Sequence, residues 1–145
     1  MVVQWTGSDT GRFSATAEAR WCARDTLLEV VAARNDTAIG LSLIAQDSLR
    51  TGGYPVLPTD SHTPWRPQAG AAIRWLDSTD LRHFGGARGQ VTVTGGGSRR
   101  ASGTLDLTLR ASSGQDSLHL TGSFSGVAIA PASPLCGRAN KPGPA

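Results

Sequence analysis

The histidines are the side chains whose chemistry is the most informative here, because imidazole serves as a base, as a proton donor and as a metal ligand. His62, His83 and His119 are separated by 21 and 36 residues. They lack the i, i+2 or i, i+4 partner that usually marks a metal site. Asp60 and His62 alternate in one irregular segment and would need a third ligand from elsewhere. We therefore predict no metal site, a prediction that a cluster of Asp60, His62 and His83 in the fold would reverse.

A second candidate for chemistry is GTLDLTLRASSGQDSLHLTGSF, residues 103–124, where leucine alternates with other residues on both sides of a polar turn. The pattern predicts a hairpin. One register of this hairpin puts His119 opposite Thr108, and a register shifted by two residues puts it opposite Asp106. The second register would make an Asp–His pair, in which a carboxylate could orient an imidazole that acts as a general base. No nucleophile stands at a fixed spacing from this pair, and no G-x-S-x-G or phosphate-loop motif occurs. We predict no catalytic residues, no enzymatic activity and no cofactor.

The longest stretch without periodicity is PTDSHTPWRPQAG, residues 58–70. A loop of about a dozen residues is long enough to suggest a role. In it Trp65 precedes Arg66, and an aromatic ring beside a guanidinium, stiffened by prolines, suits stacking on a sugar or anchoring a protein partner. In the alternative that we favour, Trp65 folds back and closes one end of the core, because large aromatic side chains seldom remain exposed. The candidate binding residues are Trp65, Arg66, His62 and Tyr54. An unknown protein or glycan is the expected partner.

The elements that position these residues are predicted from a period of two, which is typical of half-buried strands. Residues 13–22 alternate without interruption and predict one long strand that carries Cys22 on its outer face. Two apolar runs, residues 27–33 and 38–44, flank a turn of the sequence RNDT and predict a buried hairpin. Trp5 is expected in a frayed N-terminal strand. No stretch of helical length shows a period of 3.6.

These patterns predict an all-β protein: a single-domain antiparallel β-sandwich or flattened meander β-barrel of about 8–10 short strands. The domain is expected over residues 1–130, followed by a proline-rich tail over residues 131–145. The function predicted is non-enzymatic binding or a structural part in the cell envelope. The alternative is a barrel that carries a small apolar ligand. Its cavity would be lined by Leu105, Leu107, Trp21 and Trp75.

Composition agrees with one folded domain, since 39% of the 145 residues are hydrophobic and 17% are charged. A chain of this length buries about two thirds of its unfolded surface. The net charge is +3, but the 13 arginines are scattered and form no basic stripe, so nucleic-acid binding is not predicted. No apolar run is long enough for a transmembrane segment. The composition gives no oligomeric state.

The two cysteines, Cys22 and Cys136, match no metal-ligand spacing. In an oxidising compartment they would form one disulfide that ties the tail to an early strand, and closing so long a loop stabilises by about 4 to 5 kcal/mol in the chain-entropy model. The alternative is two unpaired thiols. We expect the bridge, because an isolated pair that brackets a β domain suits an exported protein. Residues 1–4 lack the basic and apolar regions of a signal peptide, so we expect the mature or truncated form of such a protein.

The segments GQVTV, SGTLDL and LHLTGSFSGV, within residues 89–127, resemble small β-rich domains of unknown function in exported proteins and lipoproteins of bacteria. In those domains a hairpin of the form S-G-x-L/F precedes a strand of the form L-x-x-G-x-F. The likeness covers about a quarter of the chain and uses residues that any β-hairpin would use. It implies an extracytoplasmic β domain, in the periplasm, on the cell surface or secreted, and it assigns no active site.

Overall fold

A computed structural model describes residues 1–58, 60–61, 63, 65–97 and 99–131. The predictions on the tail from residue 132, and on Cys136, lie outside the described residues. The described part is built almost wholly of strands, and its one helix is a three-residue 3-10 turn, Ala23–Asp25. The strands are β1 Val2–Gly7, β2 Gly11–Ser14, β3 Ala17–Cys22, β4 Leu27–Arg34, β5 Thr37–Ile44, β6 Gly52–Pro55, β7 Gln68–Asp77, β8 Asp80–Gly95, β9 Arg100–Ala111 and β10 Ser117–Ala130.

Seven of these strands close into a barrel in the order β3, β4, β5, β7, β8, β9, β10. The all-β prediction is confirmed, and of its two architectures the structure has the barrel. Neighbouring strands are antiparallel except at the seam where β10 meets β3. That seam is parallel and consists of two residue pairs, Ile129 with Ala19 and Ala130 with Arg20. A purely antiparallel barrel was therefore the wrong expectation at one point of the wall.

Three further strands extend the wall because β8 and β10 are each long enough to change neighbours along one edge. The first part of β8 pairs with β7 and its second part with β6. The first part of β10 pairs with β1, which carries β2, and its end pairs with β3. On the other edge both long strands pair with β9, with register shifts between Gly86 and Arg88 and between Phe124 and Val127. These bulges bend the strands where the neighbour changes.

The inside of the barrel is filled by apolar side chains, as expected for a barrel of this size. The largest fully buried side chains are Phe84, Phe124, Leu28, Leu43, Ile73, Leu107, Leu109, Leu118, Leu120, Val3, Val30 and Val91. Trp5 on β1 is also buried, and its ring stacks on Trp75 of β7 at 5.4 Å between centroids. Trp75 stacks in turn on Phe84 at 5.4 Å. The expectation of a frayed N-terminal strand was therefore wrong, because this stack and the pairing with β10 hold β1 in place.

The predicted long strand over residues 13–22 is in fact two strands, β2 and β3. The chain changes its neighbouring strand near Ala15: β2 pairs with β1, whereas β3 pairs with β4. The Ala15 N–H donates to the carbonyl of Met1 at 3.1 Å. The alternation still marks the inward face, since Phe13 and Ala19 are buried. Cys22, which was expected on the outer face, pairs with Leu27 and is only 1% exposed. The pattern thus predicted that Phe13 and Ala19 face inward, but it predicted neither the change of neighbour nor the burial of Cys22.

Candidate functional site

Trp65 is the most exposed of the large apolar side chains described, with 78% of its surface accessible. The favoured expectation that it folds back onto the core was therefore wrong. The segment around it is held by short-range hydrogen bonds: the Trp65 N–H donates to the Thr63 hydroxyl at 3.3 Å, and the Ser61 N–H donates to the Pro58 carbonyl at 2.9 Å. The ring consequently projects into solvent from a loop that has its own internal bonds.

Arg66 fixes this loop to the rim of the barrel. Its Nη1 donates to the Thr26 hydroxyl at 2.7 Å and lies 3.3 Å from the carbonyl oxygen of Ala45. Thr26 has a left-handed backbone (φ 47°) and its hydroxyl also lies 2.8 Å from that same carbonyl. The guanidinium therefore joins the loop to the start of β4 and the end of β5. Arg66 is a clamp in this structure, a role that its sequence position beside Trp65 did not indicate.

The other two candidate binding residues do not join Trp65 at this surface. Tyr54 lies in the core with 3% of its surface exposed. Its hydroxyl donates to the Arg50 carbonyl at 3.0 Å and accepts from the Arg50 N–H at 3.1 Å. Tyr54 thus closes a turn instead of offering a contact surface. His62 lies outside the described residues.

The Asp–His pair weighed in the sequence is present, although not by the register that would have placed the two residues opposite each other. His119 lies opposite Thr108, and its Nε2 reaches diagonally to Asp106 Oδ1 at 2.7 Å. Both side chains are well exposed, at 56% and 76%. The pair therefore stands on a strand face that is open to water.

Asp60 and His83 come together on the outer wall, where both line an open groove of about 620 Å³. Arg88 and Arg110 line the same groove. Within the part of the chain that the structure describes, no three His, Cys, Asp or Glu side chains are grouped closely enough to hold a metal ion. The sequence did not predict this groove, whose lining residues come from β7, β8, β9, β10 and two loops.

None of the described helices is long and apolar enough to cross a membrane. The chain matches no protein-family model, no curated protein and no solved structure.

Proposed function

We propose that this barrel is a non-enzymatic binding module of an exported protein, located in the periplasm, on the cell surface or outside the cell. It holds a protein or glycan of the cell envelope through the loop that follows β6, with Trp65 as the principal contact residue. The observation that carries this proposal is the 78% exposure of Trp65 on a loop that Arg66 ties to the barrel.

An indole that is exposed to water is unfavourable in free energy, and its burial in an interface is favourable. Water-exposed tryptophan leaves a large apolar surface unburied, and tryptophan is among the residues that contribute most when an interface forms. The clamp from Arg66 to Thr26 holds the loop before a partner arrives. A loop that is ordered in advance loses less conformational entropy on binding than a mobile one does. Exposure and ordering together favour recognition at this loop.

The packing of the interior favours a surface site over the alternative of an apolar ligand inside the barrel. Leu105 and Leu107, which would have lined such a cavity, are buried in the side-chain core at 3% and 1% exposure. Trp75 is stacked between two other rings instead of facing an empty space. The binding function is therefore assigned to the outside of the molecule.

The proposal is tested by replacing Trp65 and measuring binding to defined envelope components. Immobilised peptidoglycan fragments, chitooligosaccharides and a solubilised envelope-protein extract are probed with the wild type and with Trp65→Ala. Loss of a central interface tryptophan costs about 2 kcal/mol or more, so the affinity for the component that binds should fall by roughly 30-fold. Trp65→Phe should retain part of that affinity because an aromatic ring remains.

Leu81→Ala is the matched control, since Leu81 is another exposed apolar side chain, at 60%, and lies on strand β8, away from this loop in the sequence. It should leave binding unchanged. Arg66→Ala should weaken binding while the indole is still present, because the loop loses its clamp. Wild-type affinity for every component in Trp65→Ala would contradict the proposal.

A further inference from the structure

A second surface, the outer-wall groove, is lined by two arginines and a histidine around one glycine, Gly85. Gly85 of β8 lies directly opposite Arg110 of β9. His83 precedes Gly85 by two residues on the same strand, about 7 Å away along β8. Arg88 follows Gly85 beyond the bulge, and its Nε lies 3.5 Å from the Thr108 hydroxyl. The groove is about 620 Å³ in volume, and Asp60 of the neighbouring loop contributes to its lining.

Gly85 leaves the floor of this groove without a side chain. A Cβ placed on it would meet nothing within 4 Å, and its φ is not in the positive range. Glycine inside a strand costs roughly 0.5–1 kcal/mol relative to alanine, and it often marks the close approach of a ligand. Ala72, opposite Gly85 on β7, continues the same low floor.

The charged side chains around this floor are two arginines and one aspartate. Neither Arg88 nor Arg110 forms an ion pair with another residue in the described ranges, where the ion pairs are Arg50–Asp47, Arg82–Asp116 and His119–Asp106. Asp60 is the one carboxylate among the groove's described lining residues. Two guanidinium groups therefore outweigh it. Guanidinium groups present paired N–H donors that match the oxygens of a phosphate.

We propose that this groove binds the phosphate group of a ligand, which lies over Gly85 and accepts hydrogen bonds from Arg88 and Arg110. His83 supplies a further donor at the edge of the site. The site is separate from the Trp65 loop in the residues that form it, so it adds to the proposed function and does not depend on it.

The first test is titration of the full chain with inorganic phosphate and with glycerol 3-phosphate, followed by amide NMR at constant ionic strength. Saturable shifts should centre on residues 83–88 and 108–110, and an equal concentration of chloride should not produce them. Absence of saturable shifts with both phosphates would overturn the proposal.

Two glycine variants separate occlusion of the site from a general effect on the barrel. Gly85→Leu should weaken phosphate binding at least about tenfold, the loss expected when a charge-assisted hydrogen bond can no longer form. Gly40→Leu is the control, because Gly40 lies on the same outer row, is paired with Ala72, and is equally open around its missing Cβ. Equal binding by the two variants would contradict the assignment.

The charge variants test the donors. Arg110→Gln and Arg88→Gln should each weaken phosphate binding, because each removes a positive charge from the groove. Asp60→Asn should strengthen it, because it removes a negative charge that repels the phosphate. Arg20→Gln on the outer side of β3 should leave it unchanged. Trp65→Ala should also bind phosphate normally, so failure at this groove and failure at the loop are distinguishable. If Arg20→Gln weakens binding as much as Arg88→Gln and Arg110→Gln do, the effect is one of net charge and the site is refuted.

Binding to phospholipid vesicles then distinguishes a lipid headgroup from a soluble phosphate ester. Binding to phosphatidylglycerol vesicles, absent with phosphatidylcholine and lost in Gly85→Leu, would identify a lipid headgroup in place of a soluble phosphate ester. Binding to soluble glycerol 3-phosphate alone would identify the soluble ester. Vesicle binding that persists in both Gly85→Leu and Arg110→Gln would count against the groove.

Discussion

At the scale of single residues, a short contact is not evidence of strong stabilisation. His119 and Asp106 approach to 2.7 Å, but both side chains are surrounded by water. Exposed ion pairs and cross-strand polar pairs contribute at most about 1 kcal/mol, because water competes for the charges and two side chains must be held still. The contact therefore selects a side-chain arrangement more than it holds the barrel together.

We predict that the coupling between these two side chains is below about 1 kcal/mol. The measurement is a double-mutant cycle of His119→Ala, Asp106→Ala and the double variant, with the free energy of unfolding taken from urea titrations. A coupling of 2 kcal/mol or more, about twice the upper end of the range for exposed pairs, would contradict this prediction.

The residue scale also shows which side-chain roles a sequence can indicate. The spacing of apolar residues predicted the hairpin of β9 and β10 with two registers open, and the structure has the one that places Leu109 opposite Leu118. It could not predict that Arg66 bonds to Thr26, 40 positions away, since that contact depends on how the barrel closes. The expectation that a large aromatic side chain is buried was wrong for Trp65, which lies in the same loop and is exposed.

At the scale of elements, β8 shows how one strand serves two neighbours. It changes partner from β7 to β6 near Gly89, whose φ is +108°. A Cβ on Gly89 would clash with the Asp106 carbonyl oxygen and would lie 2.8 Å from the Leu107 Cα. Both the conformation and the close approach of β9 thus require glycine at this position.

We therefore predict that Gly89→Ala destabilises the protein by about 3 kcal/mol or more, because backbone strain and a backbone clash are combined. Gly40→Ala is the matched control, since its Cβ would meet nothing within 4 Å. It should change the free energy of unfolding by no more than about 0.5 kcal/mol. Urea unfolding of both variants makes the comparison, and similar losses would mean that the partner change on β8 does not depend on this glycine.

At the scale of the whole molecule, local patterns predicted the class of fold, with a barrel as one of two architectures, but not the seam at which the barrel closes. Successive strands joined by short turns pair as antiparallel neighbours, and most of the wall follows that rule. The seam between β10 and β3 joins residues more than 100 positions apart in a parallel pair, and no nearby residue announces it. The groove around Gly85 was missed because its lining also includes Asp60 of the irregular loop after β6, whose position no periodic pattern predicts.

The seam gives the predicted disulfide a physical role. Ala130, at the end of β10, lies opposite Arg20 of β3, and the two strands are parallel at this seam. Cys22 is two residues beyond Arg20 on β3. Cys136 follows Ala130 by six positions in the sequence. A bridge between the two cysteines would hold the chain next to a seam of only two residue pairs. It would also close a loop of more than 100 residues, which stabilises by about 4 to 5 kcal/mol in the chain-entropy model.

We predict that protein folded under oxidising conditions carries this bridge, and that reduction lowers the Tm by about 10 to 20 °C. Intact mass after thiol alkylation, with and without reductant, counts the thiols. Cys136→Ser should reproduce the effect of reduction and should show no further change when reductant is added. This variant leaves the buried Cys22 side chain in place, so it separates loss of the bridge from damage to packing. Two alkylated thiols without reductant would refute the bridge and weaken the case for an exported protein.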